Sequence, residues 1–228
     1  EYETVDDVLN LLDEGFDRFY NANASAVKIA IAYHRSLSFD DISKRKAEIS
    51  YNSRDDRKDY QDFIVHACIQ RATELGLPIQ IHTGLLARNK CDVRNLDSSL
   101  LNNLFIQYPD TKFVIFHYSY PYTDTAMVLA KTFPNVYIDL CWVPVISKHI
   151  ASHVLERSIE MIPSNKIMWG GDAYRVEEAF GAIRCLEIVI AEVLAKRVDN
   201  SNMDLDEAKH IAQSILFENA KNLFNIRI

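Results

Sequence analysis

The chain is poor in residues that interrupt regular structure: only six glycines and six prolines occur in 228 residues. No linker rich in Pro, Gly or Ser appears, so the sequence predicts one domain over residues 1–228. Cysteine is sparse and scattered at Cys68, Cys91, Cys141 and Cys185, with no CxxC pair. That distribution argues against a disulfide scaffold and for a reduced, cytoplasmic setting. No apolar run reaches the length of a membrane span, and no signal-peptide pattern opens the chain. An excess of basic residues is also missing: Lys plus Arg number 25 against 32 Asp plus Glu, a net charge of −7. Nucleic acid and anionic membranes are therefore not expected as partners, and a small-molecule substrate is. There is no Walker A loop, no GxGxxG and no GxSxG, which removes the simplest arguments for an NTPase, a nicotinamide dehydrogenase or an α/β-hydrolase. Low hydrophobicity is absent as well: hydrophobic residues make up 48% and charged residues 25%, so a folded core is expected.

What is present is an alternation of two patterns. Short apolar runs rich in Ile, Val, Phe and Tyr occur at 27–33 (VKIAIAY), 78–82 (PIQIH), 113–117 (FVIFH), 136–140 (VYIDL) and 166–170 (KIMWG). Each predicts a buried strand. Amphipathic runs fill the gaps, at 5–20, 59–75, 97–108, 123–133, 147–161, 176–198 and from Asp204 to about residue 224. Gly76 marks one helix stop, and Asp204 with Glu207 marks one start. One helix followed by five βα units predicts parallel strands joined by crossovers. Two architectures compete. Five strands favour an open, doubly wound sheet, because a (β/α)8 barrel needs eight. The strand ends favour the barrel.

Those ends carry the chemistry. The runs finish in His34-Arg35, His82-Thr83-Gly84, His117-Tyr118, Asp139 and Asp172. In parallel α/β folds the carboxyl ends of the strands share one face, and ligands bind there. Two imidazoles and a carboxylate, His82, His117 and Asp172, suit a divalent transition metal: zinc first, manganese or iron otherwise. Each residue also has a plainer reading. His82 and His117 fit hydrogen-bonded core positions, Asp172 fits a cap for the helix from 176, and Asp139 fits a structural strand end. His34 and Arg35 fit a solvated loop. His149 and His153 share a helix face four residues apart, but Ile150 stands where a zincin needs Glu. Lys28 places a charge near the start of an apolar run, either pointing inward or marking the strand's entrance.

Taken in order, IQIHTG, FVIFHYSYP, NVYIDLCW, IMWGGDAYRVEEAFGA and ENAKNLF resemble the amidohydrolase-related metal-dependent hydrolases of the TIM-barrel fold, over about residues 27–224. The resemblance implies a (β/α)8 barrel with metal at the carboxyl ends of its strands. It implies that His82, ending the fifth strand, binds metal. His117, ending the sixth, binds a second metal or activates water or substrate. Asp172, ending the eighth, binds metal and acts as general base. Lys28 lies near a fourth-strand Lys that is carboxylated in two-metal relatives, and Asp139 falls on the seventh strand, where no ligand is required. The first-strand HxH pair of that family occurs nowhere in this sequence. The expected fold is thus a partial barrel carrying the fourth to eighth strands, a C-terminal part whose open edge a partner segment, a homo-oligomer or a rearranged N-terminal helix would cover.

The expected activity is hydrolysis of an amide, ester or lactone bond in a small polar substrate by a metal-activated water. Asp172 and His117 would be catalytic, and Arg35, Arg88 and Arg175 would bind a substrate carboxylate. A decarboxylase, a uronate-isomerase-like enzyme, and a metal-free inactive fragment are the rival readings.

Overall fold

The computed structural model describes residues 3–53, 55–87 and 91–226. Strands β1 (Val27–Ile29), β2 (Ile79–Ile81), β3 (Phe113–Ile115), β4 (Val136–Asp139) and β5 (Ile167–Met168) form one parallel sheet. Their spatial order is β1-β2-β3-β4-β5. That order decides between the two architectures. A doubly wound sheet reverses its strand order at a switch point, whereas a barrel wall runs in sequence order. The five strands are an arc of barrel wall, with β1 and β5 at its ends.

Helices follow the strands: α1 (Val5–Asn21) precedes β1, and α2 (Lys44–Tyr51) with α3 (Lys58–Glu74) precedes β2. Then come α4 (Asn102–Gln107), α5 (Thr123–Thr132), α6 (Val143–Ile146), α7 (Lys148–Met161), α8 (Val176–Asp199), α9 (Leu205–Gln213) and α10 (Asn219–Leu223). Local chemistry sets their ends. Thr4 and Asp7 cap α1 reciprocally, through Asp7 N–H to Thr4 Oγ1 at 3.1 Å and Thr4 N–H to Asp7 Oδ2 at 2.9 Å. Gly76 turns α3 off at φ +67°, and the Leu77 amide bonds back to the Ala72 carbonyl.

Register explains which face is which. Ile29, Ile81, Ile115, Ile138 and Ile167 lie in one row across the sheet. This row packs against Ile69, Met127, Leu155 and Leu186 from the helices in the main core. Each such buried side chain contributes roughly 1.5–3 kcal/mol. Strand side chains alternate, so the row of Lys28, Gln80, Val114 and Tyr137 faces the inner side. That side has a much smaller apolar cluster, Val114, Phe116, Met168 and Leu223.

Four expectations change. The run at 27–33 stops being a strand at Ile29, its last pairing with β2 at Ile81, and its tail closes into a 3-10 turn, Ile31–Tyr33. Helix α2 has no counterpart in the sequence reading, because KRKAEISY buries only Ala47 and Ser50 and so carries little apolar periodicity. The run at 97–108 divides into a 3-10 turn, Ser98–Leu101, and α4, with the Asp97 carboxylate accepting the Ser99 amide. The last long run is interrupted by a π-helical turn at Ser214–Glu218 between α9 and α10.

Candidate metal centre

His82 arrives by simple alternation: it follows β2 on the same inner face as Gln80. His117 does not. Phe116 takes the inner position after β3, so an extended chain would send His117 outward. Instead His117, Tyr118 and Ser119 adopt φ values of 59°, 51° and 53°. Three left-handed residues in a row cost of the order of 1–3 kcal/mol each, and surrounding contacts must hold them. The buried Tyr118 hydroxyl bonds Ser158, and Ser119 Oγ accepts the Ser98 amide at 3.1 Å. Thr83 Oγ1 donates to the Phe116 carbonyl at 2.6 Å. Gly84, at φ +64°, lies so close that a Cβ there would sit 2.4 Å from the Tyr120 carbonyl oxygen. The loops after β2 and β3 are thus interlocked backbone against backbone. Asp172 comes from the loop after β5, also at positive φ, 39°.

One ligand atom from each of His82, His117 and Asp172 lies within 4.8 Å of the other two. His82 Nδ1 is 3.1 Å from His117 Nε2, and His117 Nε2 is 3.5 Å from Asp172 Oδ2. The other ring nitrogens face backbone carbonyls: His82 Nε2 to Leu85 at 3.0 Å, and His117 Nδ1 to Cys141 at 3.4 Å. A carbonyl only accepts, so we assign the ring protons to His82 Nε2 and His117 Nδ1. Burial, above all, lowers the histidine pKa values, to about 4 for His82 and about 3 for His117. Both rings are therefore neutral at pH 7, and the His117–Asp172 contact is not an ion pair. Two imidazole lone pairs and a carboxylate oxygen converge with no donor between them. A cation resolves that repulsion. Two nitrogens each 2.0–2.1 Å from a tetrahedral zinc would stand roughly 3.3 Å apart, close to the spacing here. The backbone carbonyls behind the rings are the supporting acceptors that such histidines use. The donor set fits a divalent metal.

Three neighbours complete the surroundings. Lys28 Nζ is 3.8 Å from Asp172 Oδ1 and 3.3 Å from the Phe116 ring centroid, so its charge points inward. Desolvation lowers its pKa, against the pull of Asp172. Trp142, at φ +64°, stacks on His117 with centroids 4.1 Å apart and donates Nε1–H to the Asp172 carbonyl at 3.1 Å. Asp139 is almost fully buried at the end of β4. The sequence reading missed Trp142 altogether, since no spacing rule marks a loop residue that reaches the site through a left-handed backbone.

The other candidates go elsewhere. Arg35 donates through Nε to Gln61, through Nη1 to the Ser36 and Ser38 carbonyls, and through Nη2 to Asp62, so its charge is committed to the fold. Arg175 is exposed at the N-cap of α8, three residues beyond Asp172. Arg88 lies outside the described residues. His149 and His153 are exposed, and no third donor joins them among the described residues. A cavity of about 750 Å³ lies far from this chemistry, at the amino ends of β1 and β2, between Asn23, Gly76, Pro78 and Phe224.

Comparison with known proteins identifies the family. Residues 49–225 match the family model described as Amidohydrolase. Protein fluG of Emericella nidulans is 34% identical over 158 residues, covering 68% of this chain and 18% of that protein. The chain therefore spans less than a fifth of that relative. A uronate isomerase from Thermotoga maritima superposes with a TM-score of 0.81 at 17% identity, over 97% of this chain and 54% of its own. A protein assigned as a metal-dependent hydrolase from Lactobacillus casei gives 0.75 at 22% identity, over 88% and 56%. These structures share the fold, an α/β barrel wall of which this chain supplies about half. By its family match and by its fold, the chain belongs to the amidohydrolase family.

Proposed function

We propose that this chain supplies the metal-holding part of a metal-dependent hydrolase that cleaves an amide, ester or lactone bond in a small polar substrate. The observation that carries this reading is the convergence of His82, His117 and Asp172, one ligand atom from each lying within 4.8 Å of the other two. These residues would hold the ion, with zinc favoured by two imidazoles and one carboxylate, and manganese or iron as alternatives. A divalent ion there supplies Lewis acidity, making water nucleophilic near neutral pH and polarising a carbonyl. Asp172 is the exposed member of the three and takes the proton from the attacking water, then returns it to the leaving group. His117 keeps its proton on Nδ1, so its Nε2 acts as a ligand and not as a donor to an oxyanion. Arg175, exposed three residues beyond Asp172, is the arginine proposed to meet a substrate carboxylate.

The test is metal content together with turnover. The purified chain should bind one Zn2+ or Mn2+ and release the ion on His82→Ala or Asp172→Ala. The affinity loss should exceed the roughly 10–100-fold that loss of a supporting residue costs. In H2(18)O, products of ester and lactone substrates should carry one heavy oxygen. A chain that binds no ion at micromolar supply defeats the reading.

A second reading, proton transfer in an isomerase, is favoured by one feature. Lys28 and Asp172 place an ammonium and a carboxylate 3.8 Å apart on one side of the centre. Solvent deuterium entering a carbon position, with no heavy oxygen in the product, would select it.

The same reading extends to assembly. The outer edge of β1 is unpaired among the described residues, and a groove of about 530 Å³ lined by Leu11, Leu12, Phe16 and Phe19 lies between α1 and β1. Unpaired edges and apolar grooves invite pairing. Sedimentation velocity should find species heavier than the 26.2 kDa monomer. A single monomer peak up to 100 μM would reject self-association.

A further inference from the structure

Asp139 takes no part in the metal set, yet it is the carboxylate around which the site's two late loops are built. It ends β4 on the inner face, opposite Met168 of β5, and is buried to 3% exposure. Its Oδ1 accepts the Cys141 amide at 2.5 Å, and the Gly170 amide also bonds to it. The fit at Gly170 is close: a Cβ there would lie 2.7 Å from Asp139 Oδ2. Cys141 and Gly170 open two different loops. One carries the Cys141 carbonyl that accepts His117 Nδ1–H, and then Trp142, stacked on His117 and bonded to the Asp172 carbonyl. The other carries Asp172 itself, two residues beyond Gly170. One side chain thus pins the starting points of both loops.

We propose that Asp139 is a positioning residue: through Cys141 and Gly170 it sets the ring orientation of His117 and the place of Asp172, and so prepares the centre for its metal. The proposal rests on the metal-site reading above, but its first test does not. Only an ionised Asp139 accepts from both amides with no proton of its own to place. The charged or titratable groups facing it are Lys28 from β1, Cys141 from its own loop and Asp172 from the loop after β5. Desolvation by these packed elements is the larger effect and raises the Asp139 pKa to about 7. As pH falls through about 7 the carboxyl takes up a proton, one of its oxygens becomes a donor, and the acceptor pair is weakened.

Nitrogen-15 spectra of the metal-free, histidine-labelled chain read the His117 tautomer directly. At pH 8 the proton should sit on Nδ1, and that preference should weaken as pH falls through about 7. Asp139→Asn should abolish both the preference and its pH step, because Asn keeps one acceptor and turns an N–H2 toward a backbone donor. Gly170→Ala, which displaces the carboxylate without removing it, should weaken the preference but keep a step. In parallel, Zn2+ affinity at pH 8 should fall about 10–100-fold in Asp139→Asn, the range for residues that orient ligands. The melting temperature at pH 8 should change little, because removal of the buried charge offsets the lost acceptor. A His117 tautomer unchanged in Asp139→Asn overturns the proposal. So does a melting temperature that drops in step with affinity, which would make Asp139 simply structural. If wild type binds no zinc but the tautomer result holds, the positioning role stands and the hydrolase reading fails.

Discussion

Replacing Gly84 by alanine is expected to lower stability by about 3–5 kcal/mol and to abolish metal binding with it. The φ of +64° alone costs an L-residue roughly 1–2 kcal/mol. The larger part comes from space. The added Cβ would meet Tyr120 O at 2.4 Å, and Ser119 C and Tyr120 N at 2.6 Å. These are backbone atoms of the left-handed segment that turns His117 inward, so relief requires moving the site itself. For a chain of this size the fall in melting temperature should be about 6–20 °C. Gly76 provides the control. Its φ is +67°, but a Cβ there meets nothing within 4 Å. Gly76→Ala should cost only about 1 kcal/mol and leave metal affinity unchanged. Equal melting-temperature losses for the two variants would refute the interlocking of the two loops.

Asp62→Ala is the second large effect, expected at about 3–5 kcal/mol. Asp62 is fully buried on α3. Its Oδ1 accepts from Arg35, and its Oδ2 accepts from Lys58 and from the Asp40 amide at 2.9 Å. Removing it leaves the half-buried Arg35 guanidinium without its carboxylate. Arg35 in turn binds the Ser36 and Ser38 carbonyls, so the segment after β1 should loosen. Arg35→Met should destabilise by less, and the double variant should cost little more than Asp62→Ala alone. Thermal unfolding of the four proteins checks this. Strict additivity, with Arg35→Met raising KM for an anionic substrate and leaving stability intact, would instead make Arg35 a substrate ligand.

Much of this was legible in the residues. Five β-rich runs separated by amphipathic ones were enough for parallel βα units, and His82, His117 and Asp172 stood out because each closes such a run. The alternation rule also carried Gln80 and His82 to one face. It failed at His117, whose inward turn depends on three left-handed residues that no periodicity encodes. It failed for Arg35 as well. A charged residue after a strand looks the same in a sequence whether it faces ligand or, as here, a carboxylate 27 positions along the chain. Lys28 remained undecided until register put it on the inner row, beside Phe116 and Asp172.

By itself, then, the amino-acid order determined the element types, their parallel sense, and the identities of three metal-capable side chains, because these follow from local hydrophobic period and from the residues that end each run. Tertiary structure decided between the two competing sheet architectures, in favour of the barrel arc that the family resemblance implied, and it alone gave each site ring a backbone carbonyl partner and set Trp142 against His117. Those properties depend on strand order, on carbonyls contributed by distant loops, and on backbone turned against its usual handedness, and contacts between segments far apart along the chain create all three.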